Sequence, residues 1–154
     1  APTPVIILIG AMTQRAGKTL AGVARAAFKT DAFIIDSGLG SGIEKFCLRK
    51  NIPLIGIAPE HDIIYRRINP NDKKDNELTN GHTHFMLIGD NETEPESKQS
   101  KRSQKPPPKA KKQYAWGDET ALKFEFAKRV AAGRGKMGGS TACKIVTVLV
   151  GDNE

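Results

Sequence analysis

Ala32-Phe33-Ile34-Ile35-Asp36-Ser37-Gly38-Leu39-Gly40-Ser41-Gly42-Ile43-Glu44-Lys45-Phe46 reads as a buried strand, a tight glycine turn and the first turn of a helix. The run Ala32 to Ile35 is apolar on both faces, the pattern of a parallel strand covered by helices on each side. Glycines alternate at 38, 40 and 42, which removes side chains where a ligand would approach the backbone. A helix beginning at Ser41 or Gly42 directs unpaired N–H groups and its positive dipole end out of the turn, a geometry that suits phosphate. The same stretch fits a plain strand-to-helix turn, and taken alone it leaves both readings open.

On either side the pattern repeats. Pro4 to Ile9 is a β-branched strand run ended by Gly10, and the loop 11–17 leads to a helix expected from about Lys18 to Phe28. Leu20, Val23, Ala24, Ala27 and Phe28 fall near one face of that helix. After the glycine turn comes a helix from Gly42 to about Arg49, then a third apolar strand, Pro53 to Ala58. Three strands alternating with two helices predict parallel α/β with right-handed crossovers. The long polar connection 59–81 interrupts the alternation, and a loop of that length in a compact domain is usually functional or mobile. A fourth strand, His82 to Ile88, follows.

Residues 91–113 are low in complexity, with acids first, then lysines and Pro106 to Pro108, and are expected to be disordered. A helix is then expected from Glu119 to Ala132 with Leu122, Phe126 and Val130 on its buried side. A fifth strand, Lys144 to Val150, closes the chain. No helix follows to cover it, so the domain is expected to continue past Glu154.

The 154 residues suffice for one domain with a real core, with 38% hydrophobic and 27% charged residues. The longest apolar run, Val5 to Ile9, is far too short to span a bilayer, so no membrane insertion is expected. Cys47 and Cys143 are too few for a disulfide scaffold and fit free thiols in a reducing, cytoplasmic compartment. The formal charge of +7 suggests nucleic acid, but its position argues otherwise. Lys98, Lys101, Arg102, Lys105, Lys109, Lys111 and Lys112 lie in an acid-free segment, and removing those seven charges leaves the rest of the chain neutral. The segment Lys98 to Lys112 is a candidate contact for RNA or an acidic partner, and it lacks the interleaved aromatics of a base-stacking surface.

Gly17-Lys18-Thr19 resembles the end of a P-loop, but the glycine that motif requires at position 12 is Met12. Asp36, at a strand end, imitates the acid that accompanies such a loop. His82 and His84 have no Cys or carboxylate partner at metal-like spacing, so no metal site is expected. Trp116 and Asp118 are candidates for the ligand crevice, and Trp116 is equally a core candidate, the reading its size and apolarity favour.

The order of elements, together with Ser37-Gly38-Leu39-Gly40-Ser41-Gly42-Ile43, Pro53 to Ala58, His82-Thr83-His84-Phe85-Met86-Leu87-Ile88, Trp116-Gly117-Asp118-Glu119 and Val146 to Gly151, resembles the SLOG superfamily. Within it the LSDAT type is the nearest in pattern, the domain of melastatin-type TRP channels and of free-standing microbial proteins. The resemblance implies a Rossmann-like fold that binds nucleotide-derived ligands, ADP-ribose foremost, through the loop after the first strand and the glycine turn after the second. It also suggests a larger host protein. A sister SLOG group cleaves nucleoside monophosphates with a G-x-G-T-x-x-E turn, which Gly38-Leu39-Gly40-Ser41-Gly42-Ile43-Glu44 matches with Ser for Thr; Glu44 is thereby a catalytic candidate, while as an acid in the first turn of a helix it is read first as stabilised by the helix dipole.

The resulting expectation is a three-layer α/β/α Rossmann-like domain with about five parallel strands in the order 3-2-1-4-5. Its ligand would sit at the carboxyl ends of the strands. Gly10, Gly38, Gly40 and Gly42 would allow phosphate to approach, Ser37 and Ser41 would donate hydrogen bonds, Arg15 and Lys18 would neutralise charge, and His82 would lie near sugar or base. A non-enzymatic ligand-sensing module is the leading reading, with no fixed cofactor beyond the nucleotide-type ligand. The alternatives are a nucleotide N-glycosidase, a deviant P-loop NTPase, or a structural subunit with an eroded site and a basic docking arm.

Overall fold

The computed structural model describes residues 2–10, 16–63, 77–89, 116–133 and 143–150. In chain order these form β1 (Val5–Ile9), α1 (Gly17–Thr30), β2 (Phe33–Asp36), α2 (Glu44–Leu48), β3 (Leu54–Pro59), a 3-10 turn (Glu60–Asp62), β4 (His84–Ile88), α3 (Glu119–Ala132) and β5 (Ile145–Leu149). All strand pairs are parallel. Arg15, the basic segment 91–113 and residues 64–76 of the long connection lie outside the described residues.

The sheet separates two apolar cores, because alternate side chains of each strand point to opposite faces. On one face Ile6, Leu8, Ile34 and Leu54 meet Leu20, Ala24 and Ala27 of α1 and Cys47 of α2, with Ile43 just before α2. On the other, Val5, Ile7, Ile35, Ile55 and Ile57 meet Ala127 and Ala131 of α3. The central strands are therefore apolar on both faces, as the sequence predicts for a sheet between helix layers, and the fold is Rossmann-like. Helix α1 ends at Asp31, whose left-handed backbone (φ 50°) directs its N–H back to Ala27 O.

The strand order is β4-β3-β2-β1-β5, so β4 departs from the order 3-2-1-4-5 expected from sequence. Every residue of β3 is buried, which requires a neighbour on each side, and β4 supplies the second one. The backbone before β4 fixes that choice: Thr83 N donates to Leu54 O (2.8 Å), and the Thr83 hydroxyl donates to the same carbonyl (2.9 Å). β5 instead pairs with β1 along its whole length. The reversal of strand order, and with it the crevice, moves to the β1–β5 boundary. As an edge strand β5 leaves Val146 52% and Leu149 78% exposed.

Two helix faces also differ from expectation. Phe28 is 53% exposed, and its ring faces Lys50, whose Nζ lies 4.6 Å from the centroid. On α3 the fully buried stripe is Glu119, Lys123, Ala127 and Ala131, with Leu122, Phe126 and Val130 only partly buried beside it. Small residues at 127 and 131 let the helix lie close on the sheet, and the larger apolar side chains splay over its flanks. Among the described residues no helix is long and apolar enough to cross a membrane.

Candidate functional site

Asp36, Ser41, Glu44, Glu119 and Lys123 are polar residues of the described chain buried as a whole, and they gather at the carboxyl edge of the sheet. Burying polar groups is costly unless each finds a partner, and here none is left without one. Asp36, the last residue of β2, organises the group. Its Oδ1 accepts from Gly38 N (2.8 Å) and lies 2.8 Å from His82 Nε2, while its Oδ2 accepts from the Ser41 hydroxyl (2.9 Å).

His82 completes this network from the strand-entry segment. Its Nδ1 lies 2.9 Å from Thr79 O, and its side chain is fully buried. A carbonyl and a carboxylate only accept, so both contacts are hydrogen bonds only when both ring nitrogens carry protons. Burial opposes that charge, but the hydrogen bond and charge of Asp36, then the Thr79 carbonyl and the charge of Glu44, outweigh it and raise the His82 pKa. When His82 is protonated, it and Asp36 form a buried ion pair that ties the turn after β2 to the segment before β4. The His82 ring packs on Phe85, with centroids 4.9 Å apart.

Glu44 Oε1 accepts from Ser41 N (2.8 Å), closing the turn from the helix side. This resembles the reciprocal bonding of a capping box, except that the Ser41 hydroxyl turns to Asp36. Burial pushes the Cys47 thiol up to about 12, with Asp36 and Glu44 adding to the rise, so this cysteine stays a protonated core residue.

A cleft of about 120 Å³ opens beside this network, lined by the ends of β1 and β2 (Leu8, Ile9, Gly10, Asp36, Ser37), by Ser41, and by Glu119, Thr120 and Lys123 at the start of α3. Gly10 (φ 122°) marks its boundary with β5: a Cβ there would lie 1.7 Å from Val150 O. The cleft therefore lies next to the boundary where the strand order reverses, the usual ligand position in open α/β sheets. Lys123 Nζ is 3.2 Å from Glu119 Oε1, and both side chains are more than nine-tenths buried. Glu119 Oε2 accepts from Gly117 N.

Of the residues expected from sequence, Gly10, Ser37 and Ser41 line the cleft. Gly38 lies behind them against Gly56 and Phe85, and its left-handed backbone (φ 77°) is matched by Gly42 (φ 77°). Among the described residues a Cβ on Gly40 would meet Thr79 Oγ1, at 3.6 Å. Lys18 is exposed in the first turn of α1, and His82 stands behind Asp36. Trp116 is 40% exposed. Sequence reasoning named Glu119 only within the resemblance motif and passed over Thr120 and Lys123. The available signal was a Glu four residues before a Lys at a helix start, which the apolar run Leu122-Phe126-Val130 obscured. Among the described residues no group of three or more His, Cys, Asp or Glu could hold a metal ion.

The family model described as SLOG in TRPM, prokaryote, matches residues 3–105. The chain belongs to this SLOG family. No curated protein sequence matches it. The matched span carries β1 to β4 with the Asp36–His82 network of the SLOG domain, whereas Glu119 and Lys123 follow it in the chain.

Proposed function

We propose that this SLOG domain is a ligand-sensing module that binds an ADP-ribose-like nucleotide derivative at the carboxyl edge of its sheet. At the level of the SLOG family the function is nucleotide-related ligand binding. The observation that supports the finer reading is the convergence of the buried polar residues Asp36, Ser41, Glu44, Glu119 and Lys123 on the edge next to the strand-order reversal. A fold does not collect Asp, Glu and Lys in one buried place for stability alone, since apolar replacements of buried charges are often neutral or stabilising. The cleft is below the roughly 300 Å³ at which pockets for drug-sized ligands begin, so it holds one part of such a ligand.

The test is thermal unfolding with ADP-ribose, cyclic ADP-ribose, NAD, AMP and ATP at fixed salt. A ligand at about a hundred times its dissociation constant stabilises by about 2.7 kcal/mol, which raises the midpoint by about 5 °C or more. A rise with ADP-ribose and without loss of ligand on chromatography supports a sensor. Unchanged midpoints with every member at millimolar concentration contradict it.

A further inference from the structure

We propose that the cleft between β1, β2 and the start of α3 is a sugar subsite, in which Glu119 and Lys123 bind the vicinal hydroxyls of a ribose and phosphate is kept outside. The inference rests on the nucleotide reading above and specifies which part of the ligand the cleft takes.

The argument is an inventory of donors and acceptors. Lys123 carries three N–H donors and, among the described residues, spends one on Glu119. It is a buried ammonium lining a cleft with donors to spare. Glu119 has one lone pair of each oxygen committed, to Lys123 and to Gly117 N, and keeps capacity on both. The Ser41 proton is spent on Asp36, so its oxygen can only accept from a ligand. The Ser37 and Thr120 hydroxyls both donate and accept.

Charge decides between a phosphate and a sugar. Asp36 faces His82 and Glu119 faces Lys123, so among the described residues the lining has no surplus positive charge. Glu44, behind Ser41, adds a negative one. A phosphate dianion entering here would meet two carboxylates in the wall, a like-charge contact that disfavours it. A neutral diol meets no such penalty: its O–H groups donate to carboxylate oxygens and its oxygens accept from Lys123. The volume of about 120 Å³ suits one five-membered ring with its hydroxyls, well short of a whole nucleotide. An acid at the end of the second strand commonly receives a ribose hydroxyl in doubly wound folds. Here Asp36 is largely occupied by its own turn, and the α3 pair takes over that task.

The test is calorimetric titration of the whole chain with AMP, 2′,3′-dideoxy-AMP, ADP, ADP-ribose and inorganic phosphate at fixed salt. Two lost hydrogen bonds to charged groups weaken binding by roughly tenfold or more. The expected result is that dideoxy-AMP binds that much more weakly than AMP, or ADP more weakly than ADP-ribose. The first contrast assigns the adenosine ribose and the second the distal one. The contrast should collapse toward unity in Lys123→Met. The double variant Glu119→Gln/Lys123→Met removes both charges together, avoiding a stranded buried carboxylate, and should show the same collapse. Equal affinities within both pairs, or inorganic phosphate competing through Lys123, overturn the sugar subsite while nucleotide binding stands. Absence of binding by every nucleotide overturns the wider reading and the subsite with it.

Discussion

Asp36→Ala destabilises the domain by about 3–5 kcal/mol, the cost of stranding a buried ion-pair partner. The substitution removes the acceptor for Gly38 N, for the Ser41 hydroxyl and for His82 Nε2 at once. The His82 side chain is fully buried, and Asp36 Oδ1 is the carboxylate it pairs with among the described residues. Asp36→Asn keeps the shape and an acceptor oxygen, so its loss should be clearly smaller. Denaturant unfolding of the three proteins checks the order wild type, Asn, Ala. The same pair sets a pH dependence. The folded His82 pKa is raised, so its stabilisation is complete below the unfolded value of about 6.5 and declines as pH rises through the folded value. In Asp36→Ala the burial cost of the charge is no longer offset by the carboxylate, and the alkaline decline should disappear. A wild-type midpoint in Asp36→Ala, or an unchanged pH profile, would mean that the pair does not join β2 to β4.

Gly56→Val costs at least about 3 kcal/mol by overpacking. Gly56 lies in the row Asp36–Gly56–Phe85 across β2, β3 and β4. A Cβ on it would lie 2.4 Å from Gly38 Cα, 2.9 Å from Phe85 Cδ1 and 3.0 Å from Gly38 N. Two of those three atoms are backbone, so rotamer changes cannot relieve the clash. The turn after β2 must lift off the sheet, and Ser37 and Ser41 move with it. Loss of stability should therefore come with loss of ligand affinity. Gly22→Ala, in the interior of α1 with open space around its Cβ position, serves as the control and should stabilise by about 1 kcal/mol. Wild-type stability in Gly56→Val would contradict the seating of the turn on β3.

This pair of glycines shows how far the sequence could be read. Alternating glycines at 38, 40 and 42 signalled a special turn, but they could not say what approached it. At Gly38 the close neighbour is Gly56, eighteen positions along the chain and aligned only by sheet register. At Gly42 the demand is a left-handed backbone, and at Gly40 neither constraint applies. The strands themselves were legible because buried parallel strands are apolar on both faces. Their order was less so. Placing β4 outside β3 depends on Thr83 bonding back to Leu54 and on the His82–Asp36 pair, contacts between residues 29 and 46 positions apart.

The site was legible in halves. Gly10, Ser37 and Ser41 follow strands at the edge where α/β sheets bind ligands, and simple topology points to them. Nothing in the four-residue spacing of Glu119 and Lys123 separates them from an ion pair on an exposed helix face. Only the packing of Ala127 and Ala131 against the sheet turns that face inward and puts the pair into the cleft. Glu44, a catalytic candidate that also suits the first turn of a helix as an acid, bonds Ser41 N and closes the turn, and it is not among the residues lining the cleft.

The most direct measurement of ligand binding at this edge is a backbone amide chemical-shift titration of the isotope-labelled chain with ADP-ribose. Saturable shifts should cluster at Gly10, Ser37, Ser41, Thr120 and Lys123, while residues at the opposite edge, such as Phe33 and Ala131, stay in place. Shifts confined to that opposite edge, or none at millimolar ADP-ribose, would contradict a nucleotide-sensing role for the carboxyl edge of the sheet.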